Sequence, residues 1–295
     1  MSGPLFSIIT PCLNRAEFIA EAVESVLAQN DRDFEHIIID GGSTDGTLGI
    51  LKRYPHLQVH SGPDRGMYDA LNRGLGLAKG EIIGFLNSDD LYAKNAFPAV
   101  REKFQDQNIQ AVAGSALIFT SSQTGKIDVV STYSPQGSNL LESSTIGDPY
   151  FNAWFLRKSV FARMHEFDTQ YRIVADREFM LRFALSGMQY KTITNTLYQY
   201  RKHSDSMTFD ITYQKLQRIF DEHVLMTGNY LKKQNLPAEA KDLIRKLRTR
   251  DTADIAVRSL RTLKFPKLAH YARLGMEYEP FWLLSFIRRL LHLNS

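Results

Sequence analysis

Asn87-Ser88-Asp89-Asp90 sets two carboxylates side by side at the end of the apolar run Ile82 to Leu86. Adjacent acids repel unless a cation or hydrogen-bond donors compensate them, so their natural partner is a hard divalent ion such as Mg²⁺ or Mn²⁺. Such an ion takes one or two protein carboxylates and completes its shell with water and phosphate. The plainer alternative is an Asp-Asp turn capping the helix that begins near Ala93. Another acid stands at a comparable place. Asp40 closes the apolar run Phe34 to Ile39, ahead of Gly41-Gly42-Ser43-Thr44-Asp45-Gly46-Thr47.

The elements that must carry these acids follow from periodicity. Leu5 to Thr10 reads as a buried strand ended by Pro11, and Asn14-Arg15-Ala16-Glu17 has the spacing of an N-cap with a reciprocating Glu. Phe18, Ile19, Ala22, Val23, Val26 and Leu27 then form one apolar stripe on a helix. Strands over Phe34 to Ile39, Leu57 to His60 and Ile82 to Leu86 alternate with helices, the last of them Met67 to Lys79. The result is a β-α-β-α-β-α-β run with parallel strands and right-handed crossovers. In such a sheet the carboxyl ends of the strands face the ligand crevice, where both Asp40 and the Asp89-Asp90 pair lie. Gly66, Gly74 and Gly76 are too many for a helix chosen by propensity, which predicts a close approach to that backbone.

Beyond this run, Ala96 to Phe104 reads as a helix and Gln110 to Phe119 as a strand. Ile127 to Tyr133 pairs antiparallel with it through the Thr124-Gly125 turn. Ser134 to Tyr150 reads as a long loop, Ala175 to Leu185 as a helix closed by Gly187, and Tyr190 to Ile193 and Leu197 to Tyr200 as two short strands. From about Ile211 the chain is helical, broken at Pro237, Pro266 and Pro280.

The chain has 295 residues, 43% hydrophobic and 23% charged, enough for one large core or a core with an appended subdomain. No apolar run reaches the ~20 residues that span a bilayer. The single cysteine, Cys12, excludes an internal disulfide and a cysteine-based zinc cluster, and a cytoplasmic protein is expected. The net charge of +4 is uneven: from Lys232 onward 14 Lys/Arg face 6 Asp/Glu, while the preceding part carries 22 against 26. The basic tail suits an anionic membrane surface or nucleic acid, although a solvated helical face is the commoner source of a charge run; of these, nucleic acid is not the expected partner.

Four motifs stand in a fixed order: Pro11-Cys12-Leu13-Asn14; Asp40 to Thr47; Asp64-Arg65-Gly66-Met67-Tyr68-Asp69-Ala70-Leu71-Asn72-Arg73-Gly74; and Asn87 to Asp90. Together, over residues 5 to about 206, they resemble family 2 glycosyltransferases, including members that assemble bacterial surface polysaccharides. The resemblance implies an α/β fold of the GT-A type, a Rossmann-like sandwich with a mainly parallel central sheet. Its catalytic domain would span 1–208, with a nucleotide-sugar half to about 115, and 209–295 would be a basic helical extension. It implies a metal-dependent, inverting transfer from a nucleotide diphosphate sugar, expected to be a UDP-sugar, to a glycan or lipid-linked glycan. By the same resemblance Asp40 accepts from the nucleobase, and Pro11, Asn14, Asp64 and Asn72 shape the base and ribose pocket. Asp89 binds the ribose hydroxyls and is also available to the metal, and Asp90 is the main ligand of Mn²⁺ or Mg²⁺. Two departures stand out: Asn87 replaces a first Asp, and Gly41 stands where many relatives carry a second.

Inversion needs a base for the acceptor hydroxyl. The family's base maps onto Asp176, where a helix N-terminus favours the carboxylate form; Glu178 is the runner-up. Tyr200 to Thr208 resembles a segment that closes over the diphosphate, which offers His203 as a further metal ligand and Arg201 as a phosphate partner. Asp148, Tyr150, Asn152 and Trp154 fall where the family places acceptor contacts. At the far end, Phe281 to Leu293 is apolar except for Ser285, Arg288, Arg289 and His292. It suits the membrane interface, with Trp282 as anchor, or packing on the body or on another subunit. A nucleotidyltransferase is disfavoured because Pro11-Cys12-Leu13-Asn14-Arg15 lacks the glycines of a triphosphate loop. A dehydrogenase is disfavoured for want of Gly-x-Gly-x-x-Gly. A nucleotide-sugar binding scaffold without turnover remains as the non-enzyme alternative.

Overall fold

The computed structural model describes residues 3–121, 127–135, 139–148, 150–203 and 212–292. The first half is β1 (Phe6–Cys12), α1 (Ile19–Leu27), β2 (Phe34–Asp40), α2 (Thr47–Leu51), β3 (Leu57–Ser61), α3 (Met67–Leu77), β4 (Ile82–Phe85), β5 (Leu91–Tyr92) and α4 (Ala96–Lys103). The second is β6 (Ala111–Ser121), β7 (Ile127–Tyr133), α5 (Leu140–Thr145), β8 (Trp154–Arg157), α6 (Lys158–Met164), α7 (Ala175–Leu185) and β9 (Tyr190–Arg201). Four helices follow: α8 (Tyr213–Leu231), α9 (Ala238–Arg261), α10 (Phe265–Met276) and α11 (Trp282–His292). Among the described residues no helix is long and apolar enough to cross a membrane.

One sheet runs β3-β2-β1-β4-β8-β6-β9-β5, with β7 off this path, paired with the later half of β6. Strands β3, β2, β1 and β4 are parallel, as the short βα repeats require, and β6 is parallel to β9. β8 enters antiparallel between β4 and β6. Its four residues, Trp154 to Arg157, carry too short a pattern to read as a strand alone. Both faces of the sheet are covered. Ile9, Ile37, Ile39, Ile83 and Phe85 pack with residues of α3, α6 and α7 on one side. Phe6, Ile8 and Ile82 pack with α1 and α4 on the other. Each such fully buried side chain contributes about 1.5–3 kcal/mol relative to an exposed one.

Several local readings change. β1 continues through Pro11, which pairs in register with Ile39, because proline there forgoes only one ladder donor. The Asn14/Glu17 cap does not form: α1 begins after Phe18, with no side-chain cap. Asn14 instead adopts a left-handed φ of 52° and turns toward the loop after β2. The stretch read as a loop from Ser134 holds α5, capped by the Asn139 side chain, which accepts from Leu141 N at 2.9 Å. The two short strands after Gly187 are one, β9, whose register against β6 shifts near Gly114. The Thr124-Gly125 turn and Ser204 to Thr208 lie outside the described residues. The close approach expected along α3 occurs at Gly74, where an added Cβ would lie 2.4 Å from Ile9 Cγ2.

The C-terminal helices share the sheet's core: Met226, Tyr230, Ile244 and Leu247 pack with Phe179 of α7. Glu222 of α8 accepts the backbone N–H groups of Arg172, Ile173 and Val174 at 2.8–3.1 Å, tying down the chain just ahead of α7.

His36 on β2 is fully buried, and burial, with a smaller contribution from His56, pushes its pKa from 6.5 down to about 3. The folded state therefore binds fewer protons than the unfolded chain between those values, and stability falls as pH drops below 6.5. This group alone costs up to about 1.4 kcal/mol per pH unit in that window. Urea midpoints at pH 7.5 and 5.5 should separate more for the native chain than for His36→Gln. Equal separations would show that other groups set the acid sensitivity.

Candidate active site

The carboxyl ends of the parallel strands β1, β2, β3 and β4 lie along one edge of the sheet, and the loop after β2 is built around Asp40. Its carboxylate accepts from Gly42 N and Ser43 N at 3.0 Å, Ser61 Oγ at 2.6 Å and Ser43 Oγ. Burial alone would raise this acid, but those hydrogen bonds outweigh it and hold the carboxyl below its usual range. Asp40 has no exposed surface. It shapes the turn through these bonds. Asn14 Oδ1 accepts from Thr44 N, and Asp45 accepts from Ala16 N, so the loops after β1 and β2 brace each other. Pro11 is buried beneath them.

Asp64 fills the space that Gly41 leaves. A Cβ at residue 41 would lie 2.7 Å from Asp64 Oδ2, while Oδ1 accepts from Gly66 N at 2.9 Å. Among the acids at this end of the sheet, Asp64 brings a partly exposed carboxylate to the first residue beyond β2. Asn72 is employed elsewhere: its amide donates to Phe167 O and accepts from Phe167 N, clamping α3 to the segment after α6.

At the end of β4 the two neighbouring acids part. Asp90 is buried, accepting from Arg201 N at 2.7 Å, the Tyr198 hydroxyl at 2.9 Å and Asn87 Nδ2 at 3.1 Å. Burial, then the Asp89 charge, push it above the ordinary carboxylate range against those donors. Asp89 turns outward, its Oδ2 lying 3.1 Å from His203 Nε2 and 3.6 Å from Arg15 Nε. The His203 ring packs tilted against Phe18, with centroids 4.7 Å apart. A carboxylate oxygen and an imidazole nitrogen so close form a donor pair suited to an ion that keeps water and phosphate ligands. Among the described residues no three His, Cys, Asp or Glu converge as a metal cluster. Arg201 is engaged within the protein. Buried between Phe18 and Phe119, it donates to Asp89 O, Ser121 Oγ and Glu21 Oε2.

Asp176 lies in the first turn of α7 and accepts its neighbour's N–H, Arg177 N, at 2.7 Å. Burial raises its pKa, opposed by that bond, by the Tyr68 hydroxyl and by the Arg177 charge. The single proton of that hydroxyl is shared with Ile173 O, 3.0 Å away. Glu178 faces inward, held by Arg182 and the Tyr230 hydroxyl. Tyr200 joins the two halves: burial raises its hydroxyl well above the ordinary range, and both Asp90 and Asp176 raise it further. Sequence reasoning missed Tyr68, Tyr200 and Glu222, because their roles rest on contacts between distant segments. On the acceptor side, Tyr150 stacks on Tyr133 at 4.2 Å, Asp148 pairs with Arg177, and Asn152 Nδ2 donates to the Tyr198 hydroxyl at 3.2 Å. Trp154 is buried in the core.

Residues 7–164 match the family described as glycosyl transferase family 2. A PGL/p-HBAD biosynthesis glycosyltransferase of Mycobacterium bovis is 32% identical over 191 residues, 62% of this chain and 70% of the relative. The glycosyltransferase GlyG of Streptococcus pneumoniae is 27% identical over 72% of this chain and 76% of its own. Among solved structures, Staphylococcus aureus TarS 1-349 in complex with UDP-GlcNAc superposes with a TM-score of 0.68, at 16% identity, over 95% of this chain and 83% of that one. Mannosyltransferase PcManGT of Pyrobaculum calidifontis, in complex with GDP-Man and Mn²⁺, superposes with a TM-score of 0.60 at 18% identity, over 99% and 88%. At those identities the structures speak for the GT-A fold alone. With the family matched over more than half its length and the ordered motifs on the expected strand ends, the chain belongs to glycosyl transferase family 2 and is a glycosyltransferase.

Proposed function

We propose that this glycosyltransferase transfers a sugar with inversion from a nucleotide diphosphate donor, a UDP-sugar first, to a hydroxyl of a glycan or lipid-linked glycan. A divalent ion assists, and the cytoplasmic face of a membrane is the place of action. The observation that carries the reading is the corner where Asp89 Oδ2 meets His203 Nε2 at 3.1 Å, at the end of β4. We assign Asp89 and His203 as the protein's ligands for Mn²⁺ or Mg²⁺. The closed hydrogen bonding of Asp90 suits it to holding this corner in shape. When bound, such an ion neutralises charge developing on the departing diphosphate. Solved relatives of the same fold with UDP-GlcNAc or with GDP-Man and Mn²⁺ support this donor and ion class.

Asp64 takes the base-reading role that Asp40 is too enclosed to play, with Asn14 and Pro11 forming the wall beside it. Asp176 is the base. It accepts the acceptor's hydroxyl proton as that oxygen bonds to the anomeric carbon and the bond to the β-phosphate breaks. Its carboxylate is desolvated, which raises its basicity, while the helix N-terminus keeps it ionised. The division into a catalytic domain, 1–208, and a helical extension, 209–295, is retained, with Glu222 as the extension's contribution to holding α7.

Titrating UDP, GDP and dTDP into the chain with Mn²⁺ and with EDTA tests the reading. One nucleotide should bind in a metal-dependent way, and Asp64→Ala should weaken it by about tenfold, the worth of one hydrogen bond to a charged group. Absence of nucleotide binding under every condition would remove the donor site. Unchanged binding in Asp64→Ala would remove Asp64 from the base pocket.

A further inference from the structure

The last helix, α11, is held by only one of its faces. Trp282 is buried, donates to Thr252 Oγ1 at 2.9 Å and stacks on Phe286 at 5.4 Å, and Arg289 pairs with Asp254. On the opposite arc Leu283, Leu284, Ile287 and Leu291 are 43–66% exposed, and Phe281 just before the helix is 70% exposed. Four large apolar side chains thus leave about half of their surface on the outward face of one helix. Beside them a groove of about 350 Å³ runs between α9 and α11, walled by Phe281 and Leu284 and entered by Arg245 and Arg288. The other cations there are matched: Lys246 to Asp242, Arg250 to Asp251 and Arg289 to Asp254. Arg245 Nε is buried with no hydrogen-bond partner, and no carboxylate among the described residues pairs with Arg245 or Arg288; the remaining acid of the lining, Glu279, accepts from Phe281 N.

We infer that this face docks on an anionic phospholipid surface, with head-group phosphates in the α9/α11 groove and the Leu283, Leu284, Ile287, Leu291 stripe in the acyl boundary. Charge selects this occupant. The chain from Lys232 onward carries 14 Lys/Arg against 6 Asp/Glu, and α11 contains no acid. A second copy would bring the same basic tail and no counter-charge on its own last helix, whereas lipid phosphates supply it. At 11 residues the helix lies in the interface plane and does not span it. A catalytic body seated this way meets acceptors carried in the membrane, but the docking itself does not depend on the donor reading.

Flotation with vesicles of phosphatidylcholine alone and with 30% phosphatidylglycerol tests this on the full chain. Binding should require the anionic lipid and weaken with salt. Leu284→Glu with Ile287→Glu should lose more than about tenfold in partitioning, and Arg245→Gln with Arg288→Gln about fivefold per arginine. Both pairs should keep the native thermal midpoint and nucleotide affinity. Arg245→Lys with Arg288→Lys should retain binding. Equal binding to neutral vesicles, no vesicle binding, inorganic phosphate as the only ligand of the groove, or a dimer abolished by Leu284→Glu with Ile287→Glu would each overturn the proposal.

Discussion

Replacing Asp176 with Asn is expected to lower kcat by about 10²–10⁴-fold, the usual worth of a positioned base, while nucleotide affinity stays native. The amide is nearly isosteric, so the bond from Arg177 N to Oδ1 survives and only proton acceptance is lost. The same reading fixes the sign of a pH effect. Burial raises the pKa of Asp176, so the acid limb of kcat should lie above that of an ordinary carboxylate, and turnover should fall as pH drops through it. The Tyr68 hydroxyl opposes that rise. Tyr68→Phe should therefore move the acid limb to higher pH and leave the plateau rate close to native. Glu178→Gln should instead lower stability, because Glu178 is engaged by Arg182 and Tyr230 within the core. Full turnover in Asp176→Asn would place the base elsewhere. An unmoved acid limb in Tyr68→Phe would separate the limb from Asp176.

The second large effect distinguishes two adjacent acids. Asp89→Ala should abolish the metal-dependent part of nucleotide binding, a loss of about 10–100-fold in metal affinity or more. EDTA should produce the same loss in the native chain and no further loss in the variant. Asp90→Asn should act differently. Its amide would face the donors Arg201 N and the Tyr198 hydroxyl with one acceptor instead of two, costing about 1–3 kcal/mol of stability. Metal dependence should persist in it. Thermal melts beside titrations of nucleotide with Mn²⁺ measure both. A stable Asp90→Asn chain that has lost metal dependence, beside an Asp89→Ala chain that keeps it, would return Asp90 to the role of main ligand.

Much of the architecture was legible because its signals are local. Apolar runs of strand length separated by helical stripes specify a parallel sheet, and the strand ends carrying Asp40 and Asp89-Asp90 follow from that without any contact being known. What failed lay where one segment borrows from another. The capping spacing at Asn14 and Glu17 was overridden because Ser43, Asp45 and Thr47 supply partners to the backbone of Asn14, Ala16 and Arg15. β8 is too short to announce itself and exists because the edges of β4 and β6 take it up.

The sequence by itself determined the family, the order of the elements as far as β4 and which acids stand at the carboxyl edge, since these depend on residue type and spacing along the chain. The tertiary structure alone decided what each acid faces. Two neighbours on one turn point opposite ways, so Tyr198 and Arg201, more than 100 residues on, enclose Asp90 and leave Asp89 to His203. Asp40 is consumed by its own turn and by Ser61, while the missing side chain at Gly41 admits Asp64. Trp282 turns inward to Thr252 and thereby turns a leucine stripe outward. Burial and hydrogen-bond saturation are properties of the surroundings, and the surroundings of each of these residues come from segments far away in the chain.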